Sequence, residues 1–313
     1  MSTKDPSAEH HSVLLAGATG MLGSRIAHHL LAQPAVSVRL LVRDGASSDP
    51  DKKQTLAALQ ARGATVVSGD VTDTDSLSRA TENIDIVVSA VQGGPEIIVD
   101  GQIALARAAR EQGAWRILPS DFALNLFAAT PGEHPLFDLR RQADDAIAEL
   151  GIEHVHVLNG AFLDGMVDMG FDHDARTVSY WGTGDDVFEA TTVEDTARFT
   201  ARAALDTDLV SGPLPIVGDR VSPRGMTDIV ETITRARYQR HSRGSVDEIR
   251  AQLEDARSRG DFNTQVGMAY ALYMTNGQTA VTDAQNGRYP DISADTFGDV
   301  AGKALAKEHA SPR

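Results

Sequence analysis

Residues 12–31, SVLLAGATGMLGSRIAHHLL, constrain the fold more than any other stretch of this chain. A short aliphatic run ends in Gly17, Gly20 and Gly23 at GxxGxxG spacing, and a helical pattern begins at once. In the strand–loop–helix context this places glycines where a tight turn, a close backbone approach and close helix–sheet packing are needed. The helix N-terminus then offers N–H donors and a positive dipole end to a pyrophosphate.

The pattern repeats. SVRLLVR, ATVVSGD, IDIVVSAV, AWRILPS and IEHVHVLNG read as strands. Between them DKKQTLAALQARG, DSLSRATEN, EIIVDGQIALARAAREQG and PLFDLRRQADDAIAELG have helical spacing, and Gly63, Gly113 and Gly151 stand at helix ends. Strands alternating with helices of this length make βαβ units, so the expected fold is α/β, a Rossmann doubly wound parallel sheet with a smaller C-terminal domain. The expected domains are 12–160, a Rossmann domain, and 161–313, a mixed α/β cap with some late segments returning to the first sheet. TVSYWGTGDDVFEATT reads as two strands around a Gly/Asp turn. VEDTARFTARAAL reads as a helix capped by Asp195. Ser245 and Glu248 stand at capping-box spacing.

Composition excludes several chemistries. The chain has no cysteine, which removes disulfides, thiolate metal sites and a cysteine nucleophile and fits a cytoplasmic enzyme. No GxSxG occurs, and the HH pairs at 10–11 and 28–29 lack companion ligands, so no metal is expected. A net charge of −15 argues against nucleic acid as a partner. No run of about 18 apolar residues is present to cross a membrane. The polar start MSTKDPSAEHH lacks a signal-peptide core and reads as a frayed tail. Nothing fixes an oligomeric state; a homodimer is the commonest prior.

Against this acidity a small cation cluster stands out. Arg43 ends the second strand, where an NAD-binding chain usually places Asp or Glu, and Lys52 with Lys53 opens the next helix. Arg43 and Lys52 suit the 2′-phosphate of NADP. Asp44 keeps NAD open as an alternative.

Several segments together resemble the isoflavone reductase-like group of the NmrA-like atypical short-chain dehydrogenases, which includes phenylcoumaran benzylic ether reductases and pinoresinol–lariciresinol reductases. They are GATGMLG, LVRDGASSDPDK, GATVVSGDVTDTDSL, IDIVVSAV, RILPSDFA, LFDLRRQADDAIAELGIEHVHV and RYPDISADTF. The resemblance runs in order from about residue 12 to 160 and returns weakly near 289; residues 225–285 look unlike the group. It implies NADP(H), an aromatic small-molecule substrate and a C-terminal substrate pocket. It also implies Gly17, Thr19, Gly20, Met21 and Leu22 against the pyrophosphate, and Arg43 and Lys52 on the 2′-phosphate. Ser89, Ala90 and Val91 would lie along the cofactor, and Pro119, Ser120, Asp121 and Phe122 beside the nicotinamide. Ala123 departs from the group's glycine, and Gly160 from its asparagine, with Asn159 one place early.

One departure bears on chemistry. The group's proposed catalytic lysine falls on Arg140, whose guanidinium does not exchange protons near neutrality. Arg140 can orient the cofactor or stabilise an oxyanion but is not a general acid. No tyrosine has a lysine four residues on, so the common Tyr-x-x-x-Lys pair is missing too. His134, His154, His156 and Asp164 are positional candidates for the proton donor, each set against a structural role. Met166, Met169, Phe171, Tyr180 and Trp181 suit either an apolar pocket or the core of the second domain. The expected function is an NADPH-dependent reductase of an aromatic or polyketide-like ketone, enone or benzylic ether. The alternative is a non-catalytic NmrA-like NADP sensor.

Overall fold

The structure is a computed structural model and describes residues 10–45 and 49–310. Most of the N-terminal tail, and Ala46, Ser47 and Ser48 of the LVRDGASSDPDK segment, lie outside the described residues. The first strands and helices are β1 (His11–Ala16), α1 (Met21–Leu31), β2 (Val36–Val42), α2 (Pro50–Ala61), β3 (Thr65–Ser68), α3 (Thr74–Ala80), β4 (Ile86–Ser89), α4 (Gln102–Glu111) and β5 (Arg116–Leu118). They continue with α5 (Pro135–Glu149), β6 (Glu153–Leu158), β7 (Ala161–Phe162), β8 (Phe171–Asp172), β9 (Thr177–Tyr180), β10 (Phe188–Thr191), α6 (Val193–Leu205) and β11 (Gly212–Pro215). The rest are β12 (Asp219–Val221), α7 (Pro223–Thr234), β13 (Gln239–Ser242), α8 (Val246–Ser258), α9 (Phe262–Asn276) and α10 (Phe297–Ala310).

Seven strands form one sheet in the order β11-β6-β5-β4-β1-β2-β3, and β1 to β6 pair in parallel. The order reverses between β1 and β4, the switch point at which α/β sheets bind ligands outside the carboxyl ends of their strands. β4 is buried along its whole length, as a strand covered on both faces must be. Val87, Leu14 and Ile117 of the sheet pack with Leu77, Leu105 and Ile147 of the helices.

The chain divides into two compact units that interleave in sequence. One holds 1–121, 139–157 and 196–214; the other holds 122–138, 158–195 and 215–313. Within the first, Arg116 is wholly buried, yet its guanidinium is satisfied by Glu153 and by the carbonyls of Ala203, Ala204, Asp206 and Leu209. One arginine thereby ties β5 to β6 and closes the carbonyl end of α6.

The second unit has two small sheets, β12-β10-β7 and β13-β9-β8. The two strands expected around the Gly/Asp turn exist as β9 and β10, but they do not pair with each other. β9 is flanked by β13 and β8, which occupy both of its edges, while β10 pairs with β12 and β7. The expected cap of α6 also changes. Thr192 Oγ1 accepts from the Asp195 N–H, so Thr192 caps the helix, and the Asp195 carboxylate accepts from Thr192 Oγ1 and from the Asp295 N–H. The Ser245–Glu248 capping box is present at α8. The long helix read from Glu96 opens with a π-helical turn over Glu96–Gly101 before α4 proper, with Gly101 pressed so close to Val71 that an added Cβ would stand 2.8 Å from its Cγ2. Among the described residues no helix is long and apolar enough to cross a membrane.

Candidate functional site

The glycine loop is built by sterics. Gly17 follows β1 at φ +86°, and an added Cβ would stand 2.3 Å from the Ala90 carbonyl oxygen beyond β4. A Cβ on Gly23 would stand 2.2 Å from the Gly17 carbonyl oxygen, so helix and loop touch there backbone to backbone. Gly20 is the N-cap of α1; it supplies no capping side chain, and the first turn carries no acid. By contrast α2 and α3 are capped by Asp49 and Asp73 and have an acid in the first turn. The start of α1 therefore keeps its N–H donors and positive dipole end open to an anion. Thr19 is half-buried, Met21 is 56% exposed beside the loop, and Leu22 turns into the core.

Arg43 is exposed just past β2, and Lys52 is half-buried in the first turn of α2. Lys52 Nζ lies 3.4 Å from the Asp49 carboxylate, in a pair open to water. The exposed Asp44 carboxylate accepts a hydrogen bond from Ser68 Oγ at the end of β3. Arg43 is thus an exposed cation directly after the strand end, with Asp44 beside it engaged by Ser68 and Asp49 engaged by Lys52.

The ends of β4 and β5 are joined by hydrogen bonds. Ser120 Oγ donates to the Val91 carbonyl at 2.8 Å, and the Ser120 N–H donates to Gln102 Oε1 at 2.7 Å. The Ala90 N–H donates to Ala16, which locks the β4 end to the glycine loop. Ser89 is fully buried with an Oγ that has no hydrogen-bond partner among the described residues. Pro119, Asp121 and Phe122 are buried in the following turn. The cofactor-binding residues expected around Gly17, Ala90 and Ser120 thus converge on the switch point of the sheet.

Asp121 opens onto a cluster that sequence reading assembled only in part. Its Oδ2 lies 2.7 Å from Nδ1 of His156 on β6, and that Nδ1 is also 3.5 Å from Oδ1 of Asp144 on α5. All three side chains are buried, and so is Arg140, one turn before Asp144. Burial and the Asp121 charge beside it push the Asp144 carboxyl well above the usual carboxylate range, with Arg140 pulling it partly back. His156 was among the positional candidates, whereas Asp144 was not. The available signal was the stripe Phe137, Arg140, Asp144 and Ile147, which puts two charged residues on the buried face of a helix.

The other candidates have different surroundings. His134 is wholly buried, stacked on Phe137 with ring centroids 3.7 Å apart and edge-on to Tyr270 at 4.5 Å. Asp164 is exposed and accepts from the Val193 N–H at 2.7 Å, at the start of α6. His154 Nδ1 lies 3.1 Å from the Ile152 carbonyl oxygen. Met166, Phe171 and Tyr180 pack in the core of the second unit, Trp181 packs with Ile249 and Leu272, and Met169 is 52% exposed. Gly160 has a steric cause: it sits at φ +69°, and a Cβ there would stand 2.2 Å from the Glu189 carbonyl oxygen. Asparagine does not fit at that position, and Asn159 is buried one place earlier.

A model of the NmrA-like family matches residues 9–243. Phenylcoumaran benzylic ether reductase PT1 of Pinus taeda is 30% identical over 203 residues, covering 62% of this chain and 65% of that protein. Photosystem II assembly factor Ycf39 of Synechocystis sp. is 27% identical over 231 residues, covering 71% of this chain and 67% of that protein. Among solved structures, AtPrR2 with NADP+ and (+)pinoresinol superposes with a TM-score of 0.83 at 23% identity, covering 94% of this chain and 99% of that one. The chain thus spans about two thirds of the length of the curated relatives it matches. The glycine loop at the sheet's switch point and a family match over most of the sequence have one reading: the chain belongs to the NmrA-like family.

Proposed function

We propose that the protein is an NADPH-dependent reductase of an aromatic or polyketide-like small molecule. The observation that carries this reading is the uncapped, acid-free start of α1, facing a glycine loop with no room for side chains at Gly17 and Gly23. Gly17, Thr19, Gly20, Met21 and Leu22 would hold the pyrophosphate. Arg43 and Lys52 would hold the 2′-phosphate, while Asp44 accepts a hydrogen bond from Ser68. Ser89, Ala90 and Val91 would line the path to the nicotinamide, and Pro119, Ser120, Asp121, Phe122 and Arg140 would surround that ring. When bound, the cofactor supplies a hydride. The chain's own part is to position the acceptor, keep water out and hold a proton. Arg140 stays cationic throughout, so its role is orientation or charge stabilisation. Residues 161–313, apart from 196–214, which belong to the first unit, are assigned the substrate-binding role.

Support comes from the reductase names of the relative from Pinus taeda and of similar chains. A second reading, an NADP sensor without turnover, is favoured by Arg140 standing at the lysine's place, and one relative bears the name of an assembly factor. The test is binding of NADPH and NADH to wild type and to Arg43→Ala/Lys52→Ala, followed by NADPH oxidation with ketones, enones and lignans. NADPH binding lost in the double variant, with turnover on any compound, supports the reductase. Binding without turnover on the whole panel favours the sensor, and equal NADH and NADPH affinity untouched by the substitutions rejects the assignment of Arg43 and Lys52.

A further inference from the structure

The cluster of Asp121, Asp144, His156 and Arg140 presents a satisfiability problem. Three of its buried oxygens, Asp121 Oδ1 and both oxygens of Asp144, have no hydrogen-bond partner among the described residues. Asp121 Oδ2 is already engaged by His156 Nδ1 at 2.7 Å. An ionised carboxylate only accepts, so two ionised aspartates here would leave all three oxygens desolvated and facing like charge. A single proton removes the problem. Placed on Asp144, it lets that carboxyl donate to Asp121 Oδ1, leaving one negative charge on Asp121 to balance the Arg140 cation.

A metal ion is the competing occupant, since Asp121, Asp144 and His156 each bring a ligand atom to within 4.8 Å of the others. The geometry argues against a ligand set. The short Nδ1–Oδ2 contact is a hydrogen bond that a metal would have to break, and the buried Arg140 cation would repel a dication.

We propose that Asp144 is kept as a neutral carboxylic acid donating to Asp121 Oδ1, and that this pair, backed by His156, is the proton store of the reduction in place of the family's lysine. The proposal rests on the reductase reading. Reduction adds a hydride to a substrate carbon and a proton to oxygen or to a neighbouring carbon. The chain has to release that proton. The O–H bond of Asp144 breaks, its electron pair stays on the carboxylate, and the proton passes to Asp121 Oδ1. Asp121, in the turn matched to the nicotinamide side, releases a proton to the substrate oxygen or carbon as the hydride adds, and returns to a carboxylate. A proton taken up from solvent restores Asp144 after turnover. Asp121 follows β5, His156 lies on β6, and Arg140 and Asp145 share α5 with Asp144; these are the charged groups acting on it, and the His154 ring stands 5.3 Å from His156. Arg140 orients; it does not exchange the proton.

The test is made on the full chain, with and without NADPH. At pH 7 exposed carboxyls are ionised, so a carboxylic-acid carbonyl band in the infrared spectrum reports a protonated buried acid. The band is expected in wild type and in the exposed-site control Asp145→Asn, and is expected to vanish in Asp144→Asn. On a substrate identified by the panel, Asp144→Asn should lose about 100-fold in kcat, the lower range of general-acid contributions, with NADPH affinity unchanged. Asp144→Glu should recover the band and part of kcat. Should Asp144→Asn fail to fold, Asp121→Asn replaces it and should move the band, because the acceptor has changed. No band in folded wild type overturns the proposal. So does stoichiometric Zn2+ or Mn2+ that Asp144→Asn fails to bind, and so does an unchanged kcat when the band is lost. Tight NADPH binding with no turnover on any compound defeats the reductase reading and the delivery step with it, while the band still decides whether Asp144 holds a proton.

Discussion

The start of α1 and the buried face of α5 both place charge-handling groups in the same unit, by opposite means. At α1 the working groups are backbone N–H donors, and the sequence contributes by leaving things out: side chains at Gly17, Gly20 and Gly23, and acids from the first turn. At α5 the working groups are side chains from separated segments, Asp121 after β5, Arg140 and Asp144 on the helix, and His156 on β6. A site made of backbone is written in one contiguous stretch, because local conformation is enough to build it. A site made of side chains depends on which strands become neighbours, and β5 and β6 pair only once the sheet has formed.

The largest expected effect breaks the backbone site. Gly17→Ala has both faults at once, a left-handed φ and a Cβ 2.3 Å from the Ala90 carbonyl, and should cost roughly 3 kcal/mol of stability and abolish NADPH binding. Gly63→Ala is its control. Gly63 has φ +103° but nothing within 4 Å of an added Cβ, so the substitution should cost only about 1 kcal/mol, from conformation alone. Urea unfolding of the two variants measures the difference. Equal costs would mean that close approach to Ala90 does not shape this loop.

The next effect concerns the side-chain site and carries a sign. The folded state holds the proton of Asp144 to higher pH than the unfolded chain does, so above the ordinary carboxylate value near 3.8 the native state binds more protons than the unfolded state. The contribution of Asp144 is then most favourable at low pH and declines as pH rises, by up to about 1.4 kcal/mol per unit, until the folded group itself ionises. Asp144→Asn should flatten this decline between pH 5 and pH 8, read as the pH dependence of the urea midpoint. A variant with the same slope as wild type would show that both carboxyls are ionised in the native protein.

The two sites also differ in how far they could be read without coordinates. Alternation of β-branched runs with helical spacing was enough to place β1 to β6, since burial on both faces demands those residues. The glycine spacing located the tight loop between β1 and α1. What stayed hidden depended on pairing. β9 and β10 look like a hairpin across GTGDD, yet parallel pairing with β13 claims β9, an outcome set by residues 239–242 far along the chain. Position marks His156 and its motif marks Asp121, but only the β5–β6 register joins them. Asp144 could have been flagged as an acid on the apolar stripe of α5; paired with Asp145 in a DD dipeptide, it reads instead as one of two solvated acids.

A smaller effect, in affinity rather than stability, probes the rim of the backbone site. Arg43→Ala/Lys52→Ala should weaken NADPH binding by about 10- to 100-fold, the loss of two charge-assisted contacts at about 0.7 to 1.4 kcal/mol each, and leave NADH binding unchanged. Lys52 alone should account for the lesser part, because Asp49 already holds its ammonium 3.4 Å away and must be displaced. Titration calorimetry of the single variants separates the two.

The smallest expected effect is the most discriminating. Arg140→Lys restores the amine that related chains are proposed to use, at a buried position where Nε and Nη1 of the arginine have no hydrogen-bond partner among the described residues. Lysine keeps the positive charge near Asp144, so the charge balance of the cluster survives and Asp144 keeps its proton. If Asp144 is the proton store, turnover should then change by less than about tenfold, as expected for a group that orients without transferring protons. If the chain is instead a sensor silenced by loss of the amine, wild type should show no NADPH oxidation and Arg140→Lys should gain it. The one substitution therefore asks whether α5 lost a proton donor or moved it one turn along the helix, from residue 140 to residue 144.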